Sequence, residues 1–311
     1  MNQGQAIQKK AGLSDARKRE ITNLLFYVAL IALPLIQFGI FYIGVNVNSI
    51  LLAFQSYTLQ DGYYFVGFDN FAKVFKDLFT DAYFGKMVLN SLLGYLSTLL
   101  TTVFSLLFSF YIYKKRMFSG FFKVILFLPN IISGLILAIM FKYFVDRAVP
   151  ELALSWFGTQ IDGLLSSEAT AFPTVIFFNV FIGFGVQVLL FSGAMDAVSP
   201  TLIDAAEVDG STVLSQFIHI ILPSIWPNVV TFLVVGVAGI FTNQLCIYSF
   251  FGTGASSSVY TIGYYLYKNT YLAAEDGYPY LAAFGIVLTL FAVPLTYLAK
   301  YLLERFGPRY E

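Results

Sequence analysis

The sequence holds few side chains that could carry out covalent chemistry. It has one histidine, His219, and one cysteine, Cys246, and no cluster of Cys, His and carboxylate residues has metal-site spacing. It has no recognisable nucleophile–base–acid pattern, and no G-x-x-x-x-G-K-[ST] loop that would cradle phosphates. The sequence therefore predicts a protein that is not an enzyme and holds no cofactor. We expect a packing or surface role for His219 and a buried, inert thiol at Cys246.

Residues 204–223, DAAEVDGSTVLSQFIHIILP, form a polar stretch in the second half of an otherwise very apolar chain. Ser199 and Pro200 suit the N-cap and first position of a helix, and Gly210 suits its end because glycine tolerates left-handed backbone. The pattern predicts a first helix that runs to about Asp209. A second helix is expected from a Ser211 cap to Pro223.

The first of these helices is expected to have one apolar face that is formed mainly by small side chains. Leu202, Ala205 and Ala206 fall on that face at positions i, i+3 and i+4. Two of the three are alanines, so another helix or a groove could approach closely. Two interpretations fit these residues: an ordinary connector that packs on its own bundle, and a docking element for a soluble partner.

The rest of the chain has the composition of a membrane protein. Of its 311 residues 58% are hydrophobic and 12% are charged, against about 25% charged in a soluble domain. A helix that crosses a bilayer needs about 20 mainly apolar residues. Six stretches qualify: residues 23–45, 87–113, 121–144, 172–195, 225–250 and 280–303. The predicted fold class is all-α, a polytopic membrane helical bundle of about six transmembrane helices.

Basic residues predict the orientation. With both termini in the cytoplasm, twelve of the 18 Lys and Arg residues fall on the cytoplasmic side, as the positive-inside rule requires. Residues 1–20 then form a cytoplasmic tail, and residues 21–86 hold the first transmembrane helix and an extracytoplasmic connector. Residues 87–311 form the core, with a cytoplasmic loop at 199–223. An amphipathic helix is expected in the connector after Asp69 and Asn70. The net charge of zero gives no reason to expect a nucleic-acid partner.

Polar side chains within the predicted spans are candidates for lining a solute path. Asn179 and Gln187 share a face of the fourth span, and Asn243 and Gln244 lie in the fifth. Such groups are costly against lipid and tend to face partners or cavities. They could hydrogen-bond between helices or line a path. Amides beside rings such as Tyr248 would suit neutral sugars, because amides pair with hydroxyls and rings cover apolar sugar faces.

The polar stretch resembles the EAA loop of ABC importer permeases, which reads acid-Ala-Ala, three residues, Gly, nine residues, Ile-x-Leu-Pro. The matching residues are Asp204, Ala205, Ala206, Gly210, Ile220, Leu222 and Pro223, and Asp209 and Phe217 match the extended form. The departure is Asp204, where Glu is usual. The segments VGFDNFAKVF and LFLPNIISGLILAIMFKYFVD are similar to the carbohydrate-importing branch, the maltose-permease-like group.

The resemblance implies a permease subunit of an ATP-driven importer in the bacterial cell membrane, forming half of the path for a sugar or oligosaccharide. Its implied partners are a second homologous permease, two ATPase subunits that bind ATP and Mg, and an extracytoplasmic substrate-binding protein. The residues implied to couple to the ATPase are Asp204, Ala205, Ala206, Asp209, Gly210, Leu222 and Pro223. The alternatives are a stand-alone secondary carrier or channel for a small polar solute, and a membrane enzyme.

Overall fold

The computed structural model describes the backbone of residues 4–81 and 83–308, and the side chains of these residues from 17 onward. Within these residues five helices are long and apolar enough to cross a membrane: Arg17–Leu52, Phe84–Tyr113, Glu168–Asp196, Val213–Ala238 and Tyr278–Phe306. A sixth candidate is the pair Ser119–Ile131 and Gly134–Phe157, which is bent by 98°. The predicted helical membrane bundle of about six spans is confirmed.

The described chain has fourteen α-helices and one small hairpin. The helices are α1 Gly4–Gln37, α2 Val45–Leu52, α3 Asp69–Thr80, α4 Phe84–Tyr113, α5 Ser119–Phe127, α6 Gly134–Tyr143, α7 Val149–Phe157, α8 Glu168–Asp196, α9 Pro200–Val208, α10 Val213–Gln216, α11 Leu222–Ala238, α12 Ile247–Phe251, α13 Ile262–Leu272 and α14 Tyr278–Phe306. The strands are β1 Gln55–Thr58 and β2 Gly62–Phe65, which pair antiparallel. This hairpin lies in the first connector, where the sequence predicted no strand.

The third predicted span is not one straight helix. A 3-10 segment, Leu128–Ile131, follows α5; Ile132 is then extended and Ser133 is also non-helical before α6 begins. Pro129 lies at the start of the 3-10 segment, where it lacks the N–H that would continue the α-helical hydrogen bonds of α5. Apolar composition alone therefore predicted a continuous helix where the backbone turns sharply.

The fifth predicted span, residues 225–250, begins earlier and ends earlier than expected. Helix runs from Val213 through a π-helical segment, Phe217–Ile221, to the end of α11, so Pro223 does not end the second loop helix. The wider π turn precedes Pro223 and accommodates its missing N–H. After Ala238 the chain leaves the helix until α12. Cys246 lies in this break and is exposed, so the expectation of a buried thiol was wrong.

Helices α4 and α8 pack closely through small hydroxyl side chains. Ser105 and Ser109 of α4 are fully buried, and Ser109 Oγ donates to the carbonyl of Val188 at 3.0 Å. Ser105 Oγ reaches the carbonyl of Phe184 at 3.5 Å. Small residues let two membrane helices approach, and their hydroxyls supply hydrogen bonds between them. This pair of helices forms the scaffold of the bundle.

The predicted amphipathic helix in the first connector is confirmed as α3, although it begins at Asp69 itself and not after Asp69 and Asn70. It is held against the bundle, because Val74 is buried and Tyr280 of α14 donates its hydroxyl to Asp77 at 2.8 Å. Asn70 Nδ2 donates to the carbonyls of Ala53 and Gln55 at 3.0 and 2.7 Å. The connector therefore forms an ordered cap over one end of the bundle.

Candidate coupling loop and solute path

The loop at residues 199–223, called the coupling loop below, folds as two helical segments around a glycine. Helix α9 ends at Val208, and Gly210 follows with a φ of +78°, the left-handed conformation that its sequence position predicted. The amide of Ser211 then donates to the carbonyl of Ala206 at 2.9 Å. The cap of the second helix is Thr212, whose side chain accepts from the Ser215 amide, and not the expected Ser211.

One side of the coupling loop is anchored in an apolar cluster at the ends of three spans. Ile203, Phe217 and Ile221 are buried in this cluster, and the rings of Phe110 and Phe217 lie 5.0 Å apart. The spans contribute Leu106, Phe110, Phe191, Met195, Ile225 and Val229. Burying each large aliphatic side chain contributes roughly 1.5–3 kcal/mol, so the loop and the spans form one packed body.

An ion pair adds a polar contact between α9 and the second span. Lys114 Nζ lies 2.8 Å from Glu207 Oε1, and the Lys114 side chain is only 14% exposed. The hydrogen bond from the Lys114 ammonium, with its charge, holds the pKa of the Glu207 carboxyl below its usual value. A second, longer pair joins Lys123 to Asp196 at 3.6 Å. Lys114 at the end of the second span and Lys123 at the start of the third are thus paired with acidic residues around the loop.

The opposite side of α9 is an exposed apolar strip. Leu202, Ala205 and Val208 follow at intervals of three residues, and Val208 is 88% exposed. Ala206, predicted on the same low face, is instead half-buried. Asp204 and Asp209 are exposed beside the strip and give it acidic edges. Within the described chain nothing covers this strip, and its small side chains permit close approach.

Leu222 and Pro223 occupy a different place from the other motif residues. Pro223 is buried and Leu222 is half-buried, at the junction between the π-helical segment and α11. They shape the passage from the coupling loop into the fifth span. His219, on the same segment, is exposed, and its Nδ1 lies 3.1 Å from the carbonyl of Ser215. This contact fits the surface role expected for that histidine.

Three of the predicted path residues meet at a small cavity of about 170 Å³. Its lining comes from α4, α8 and the break after α11: Ser97, Thr98, Thr101, Asn179, Val180, Gly183, Gln187, Asn243 and Leu245. A neighbouring cavity of about 230 Å³ shares Thr98, Asn243 and Leu245 with it. The structure thus brings Asn179, Gln187 and Asn243 together from distant parts of the sequence.

Two of these amides also brace the break in the fifth span. Asn179 Nδ2 donates to the carbonyl of Leu245 at 2.8 Å, and Asn243 Oδ1 accepts from the Leu245 amide at 2.8 Å. Leu245 and Cys246 have φ angles of +49° and +58°, a backbone region that costs non-glycine residues about 1–3 kcal/mol each. Asn179 therefore makes an interhelical hydrogen bond, one of the two roles that the sequence left open, and it also lies in the cavity wall. Its place in a solute path stays a prediction.

Gln187 differs from the other two amides. It is 8% exposed, and its Oε1 has no hydrogen-bond partner among the described residues. Gln244 and Tyr248 line neither cavity. The Oε1 of Gln244 is likewise buried without a partner in the described chain, and Tyr248 packs edge-to-face on Tyr267 with 4.8 Å between ring centroids. A role for Gln244 and Tyr248 in the solute path stays a prediction.

The hydroxyl side of the cavity was missed from the sequence. Ser97 and Thr101 of α4 line it, and a regular signal was present, because Ser97, Thr101, Ser105 and Ser109 recur every four residues. Such spacing places small polar groups along one helix face. Among the described residues, no group of three or more His, Cys, Asp and Glu side chains could hold a metal ion.

Membrane components of known transport systems match most of the chain. The family model of the binding-protein-dependent transport system inner membrane component matches residues 102–311. The probable ABC transporter permease YurN of Bacillus subtilis is 27% identical over 279 residues, covering 86% of this chain and 92% of YurN. The arabinooligosaccharides transport system permease AraP of Halalkalibacterium halodurans is 26% identical, covering 84% of this chain and 82% of AraP.

A solved structure shows the same fold. It is a bacterial ABC transporter involved in the import of the acidic polysaccharide alginate, and one of its chains superposes with a TM-score of 0.74 at 23% identity. The match covers 94% of this chain and 99% of that chain. Because the family model spans well over half of the sequence, this chain belongs to the binding-protein-dependent transport system inner membrane components.

Proposed function

We propose that the chain is the permease subunit of an ATP-driven ABC importer for oligosaccharides. It would form half of the translocation path beside a second, homologous permease. Two separate ATPase subunits would bind ATP and Mg, and an extracytoplasmic binding protein would deliver the sugar. Membership of the family and the likeness to an arabinooligosaccharide permease support this assignment.

The two-sided character of α9 carries the proposal. Its inner side is buried in the bundle through Ile203, whereas Leu202, Ala205 and Val208 form an exposed apolar strip. Exposed apolar surface with polar edges is typical of a protein–protein contact. A cleft on the ATPase that accepts this strip would move α9, and the buried side would carry the movement to the spans.

With both termini in the cytoplasm, the coupling loop would lie on the cytoplasmic side, where it could meet the ATPase subunits. Most Lys and Arg residues of the chain fall on that side when both termini are cytoplasmic, which supports the assignment. The hairpin β1–β2 and helix α3 would then face outward, where they could contact the binding protein. The chain would sit as a multi-pass protein in the bacterial cell membrane.

Substitution of Ala205 tests the proposal. The complex would be purified with its ATPases, and substrate-stimulated ATP hydrolysis and uptake would be measured in proteoliposomes. Ala205→Glu adds bulk and charge to the strip and is expected to abolish ATPase retention or to uncouple uptake from hydrolysis. Ala205→Ser keeps a small, uncharged side chain in the strip and should behave like the wild type. Because Ala205 is exposed, neither variant disturbs the core. An Ala205→Glu complex with normal uptake would refute docking at this strip.

The same measurements separate an importer subunit from a stand-alone carrier. An importer subunit retains its ATPases during purification, and its uptake stops without ATP. A carrier or channel would move solute without either. Uptake by the chain alone, without ATPase subunits, would therefore overturn the proposal.

A further inference from the structure

Helix α3 has two apolar sides, and only one of them is covered by the bundle. Val74 is buried and Leu78 is half-buried in the apolar cluster beneath the helix. Phe68, directly before the helix, is followed by Phe75 and Phe79 at intervals of seven and four residues, so the three rings share a second side. All three side chains are exposed, and Phe79 is 87% exposed. These three residues form an aromatic stripe along α3.

The third side of α3 is polar and carries two ammonium groups. Lys73 and Lys76 are exposed, and neither makes an ion pair with a carboxylate of the described chain. The acids of this segment have other roles. Asp77 accepts from a tyrosine hydroxyl of α14, Asp81 accepts from a backbone amide, and Asp69 lies in the first turn, where a negative charge stabilises a helix. The two lysines therefore place positive charge beside the stripe.

The place of α3 on the bundle corresponds to the headgroup level of a bilayer. The spans α4 and α14 have 30 and 29 residues. At 1.5 Å per residue each is about 45 Å long, which is the thickness of a bilayer with its headgroups. Helix α3 packs on the first turns of both spans, because Val74 shares a cluster with Met87 of α4 and Asp77 meets Tyr280 of α14. It therefore lies across the ends of the spans, where lipid gives way to water.

The order of the three sides around α3 distinguishes lipid from a protein partner. An exposed apolar stripe marks either a protein contact or a membrane contact. Around this helix the surroundings change from the bundle, through the aromatic stripe, to the lysine side. A helix at the edge of a bundle in the headgroup layer meets protein, acyl chains and water in that order. The lysine side stays accessible from water.

We propose that α3 is an interfacial anchor that binds the phospholipid surface around the bundle. Phe68, Phe75 and Phe79 enter the boundary between headgroups and acyl chains, and Lys73 and Lys76 meet lipid phosphates. Interfacial helices combine aromatic residues on one face with lysines on the polar face, and bury the apolar face about 5–10 Å into that boundary. Because interfacial anchors contribute to the tilt of spans, α3 holds the starts of α4 and α14 at a fixed depth.

Site-directed spin labelling of the assembled complex tests this proposal. The complex with its partner permease and ATPases is placed in vesicles of phosphatidylethanolamine and phosphatidylglycerol, with Cys246→Ser and cysteine-free partner subunits as the background. Labels are attached singly to Phe75→Cys and Phe79→Cys. Collision rates with oxygen, which concentrates in lipid, and with a water-soluble nickel chelate are then measured. Both positions should show frequent oxygen collisions and few nickel collisions. Because both side chains are exposed, the labels leave the core undisturbed.

Thr80→Cys is the matched control. Thr80 is exposed in the same last turn of α3 as Phe79 but lies off the stripe. Its label should collide more often with nickel than the label at position 79 does. Equal nickel collision rates at positions 79 and 80 would place the stripe in water. Low rates with both reagents at positions 75 and 79 would show that a protein covers the stripe. Either result would overturn the proposal.

Reversing the two charges tests the contact with phosphate. Lys73→Glu combined with Lys76→Glu should raise the nickel collision rate at position 79, because anionic lipid repels the carboxylates. Lys73→Arg combined with Lys76→Arg keeps the charge and should leave the rate unchanged. The same rate in the Glu variant as in the background would overturn the phosphate contact. Substrate-stimulated ATP hydrolysis by the same preparations reports on the proposed function separately, so a failure of the anchor is distinguishable from a failure of that function.

Discussion

Lys114 Nζ and Glu207 Oε1 lie 2.8 Å apart and join the end of the second span to the exposed helix of the coupling loop. The loop is continuous in sequence only with the fourth and fifth spans. The ion pair, with the contact of Phe110 on Phe217, gives it a third connection. Because Asn179 and Gln187 line the cavity together with residues of the second span, both the second and the fourth span connect α9 to this cavity.

Neutralising this pair is expected to weaken coupling more than assembly. Because the Glu207 side chain is 56% exposed to solvent, screening by water keeps the contribution of the pair to stability small, so Lys114→Met and Glu207→Gln should leave the complex assembled. The ratio of sugar imported to ATP hydrolysed in proteoliposomes should fall in both. The charge-swapped double variant, Lys114→Glu with Glu207→Lys, should recover part of that ratio. Equal ratios in wild type and single variants would show that the pair has no part in coupling.

The ion pair between Lys114 and Glu207 should persist from about pH 6 to pH 8. Because the pKa of Glu207 is lowered, the stabilisation from the ionised carboxylate is present above the ordinary carboxyl pKa. It is lost only as the pH falls through the lowered value. The difference in coupling between wild type and Glu207→Gln should therefore be constant from about pH 6 to pH 8. A difference that vanishes at the acid end of this range would contradict the lowered pKa.

Gly185 is expected to be essential for the bent third span. A Cβ at this position would lie 2.1 Å from the carbonyl oxygen of Leu126, so the backbone of α5 would have to move. Gly185→Ala should lower the thermal unfolding midpoint of the complex, because overpacking costs typically 1–3 kcal/mol or more. Gly193→Ala, on the same helix with open space around its Cβ, should leave the midpoint unchanged or slightly raised. Equal midpoints for the two variants would refute this packing.

The sequence predicted the coupling loop well because its signals are local. Ser199 and Pro200 flank the start of α9, and Gly210 ends it, through chemistry that involves only neighbouring residues. Thr212 replaced Ser211 as the second cap, a difference of one residue between two similar side chains. Which side of α9 would be exposed could not be read from its pattern, because the buried Ile203 and the exposed Val208 are equally apolar.

The break in the fifth span could not be predicted from composition. Residues 225–250 are apolar enough for a continuous helix, and Leu245 and Cys246 are not residues that usually take left-handed backbone. Their conformation is stabilised by a hydrogen bond from Asn179, which lies 66 residues away in sequence. In the third span Pro129 was a sequence signal for an interrupted helix. The continuous run of apolar residues nevertheless led to the prediction of a single helix. The position of the break in the fifth span thus depends on a hydrogen bond between residues far apart in sequence, which hydrophobic periodicity cannot predict.

Photo-crosslinking from the exposed strip of α9 tests the central claim most directly. Benzoylphenylalanine would replace Val208, which is 88% exposed, in the assembled complex, and Leu59 in the outer hairpin, which is 94% exposed, would serve as the control position. Irradiation should join position 208 to an ATPase subunit, identified by mass spectrometry, and should give no ATPase adduct from position 59. An ATPase adduct from position 59, or adducts from position 208 confined to the chain itself, would contradict docking of the ATPase on the coupling loop.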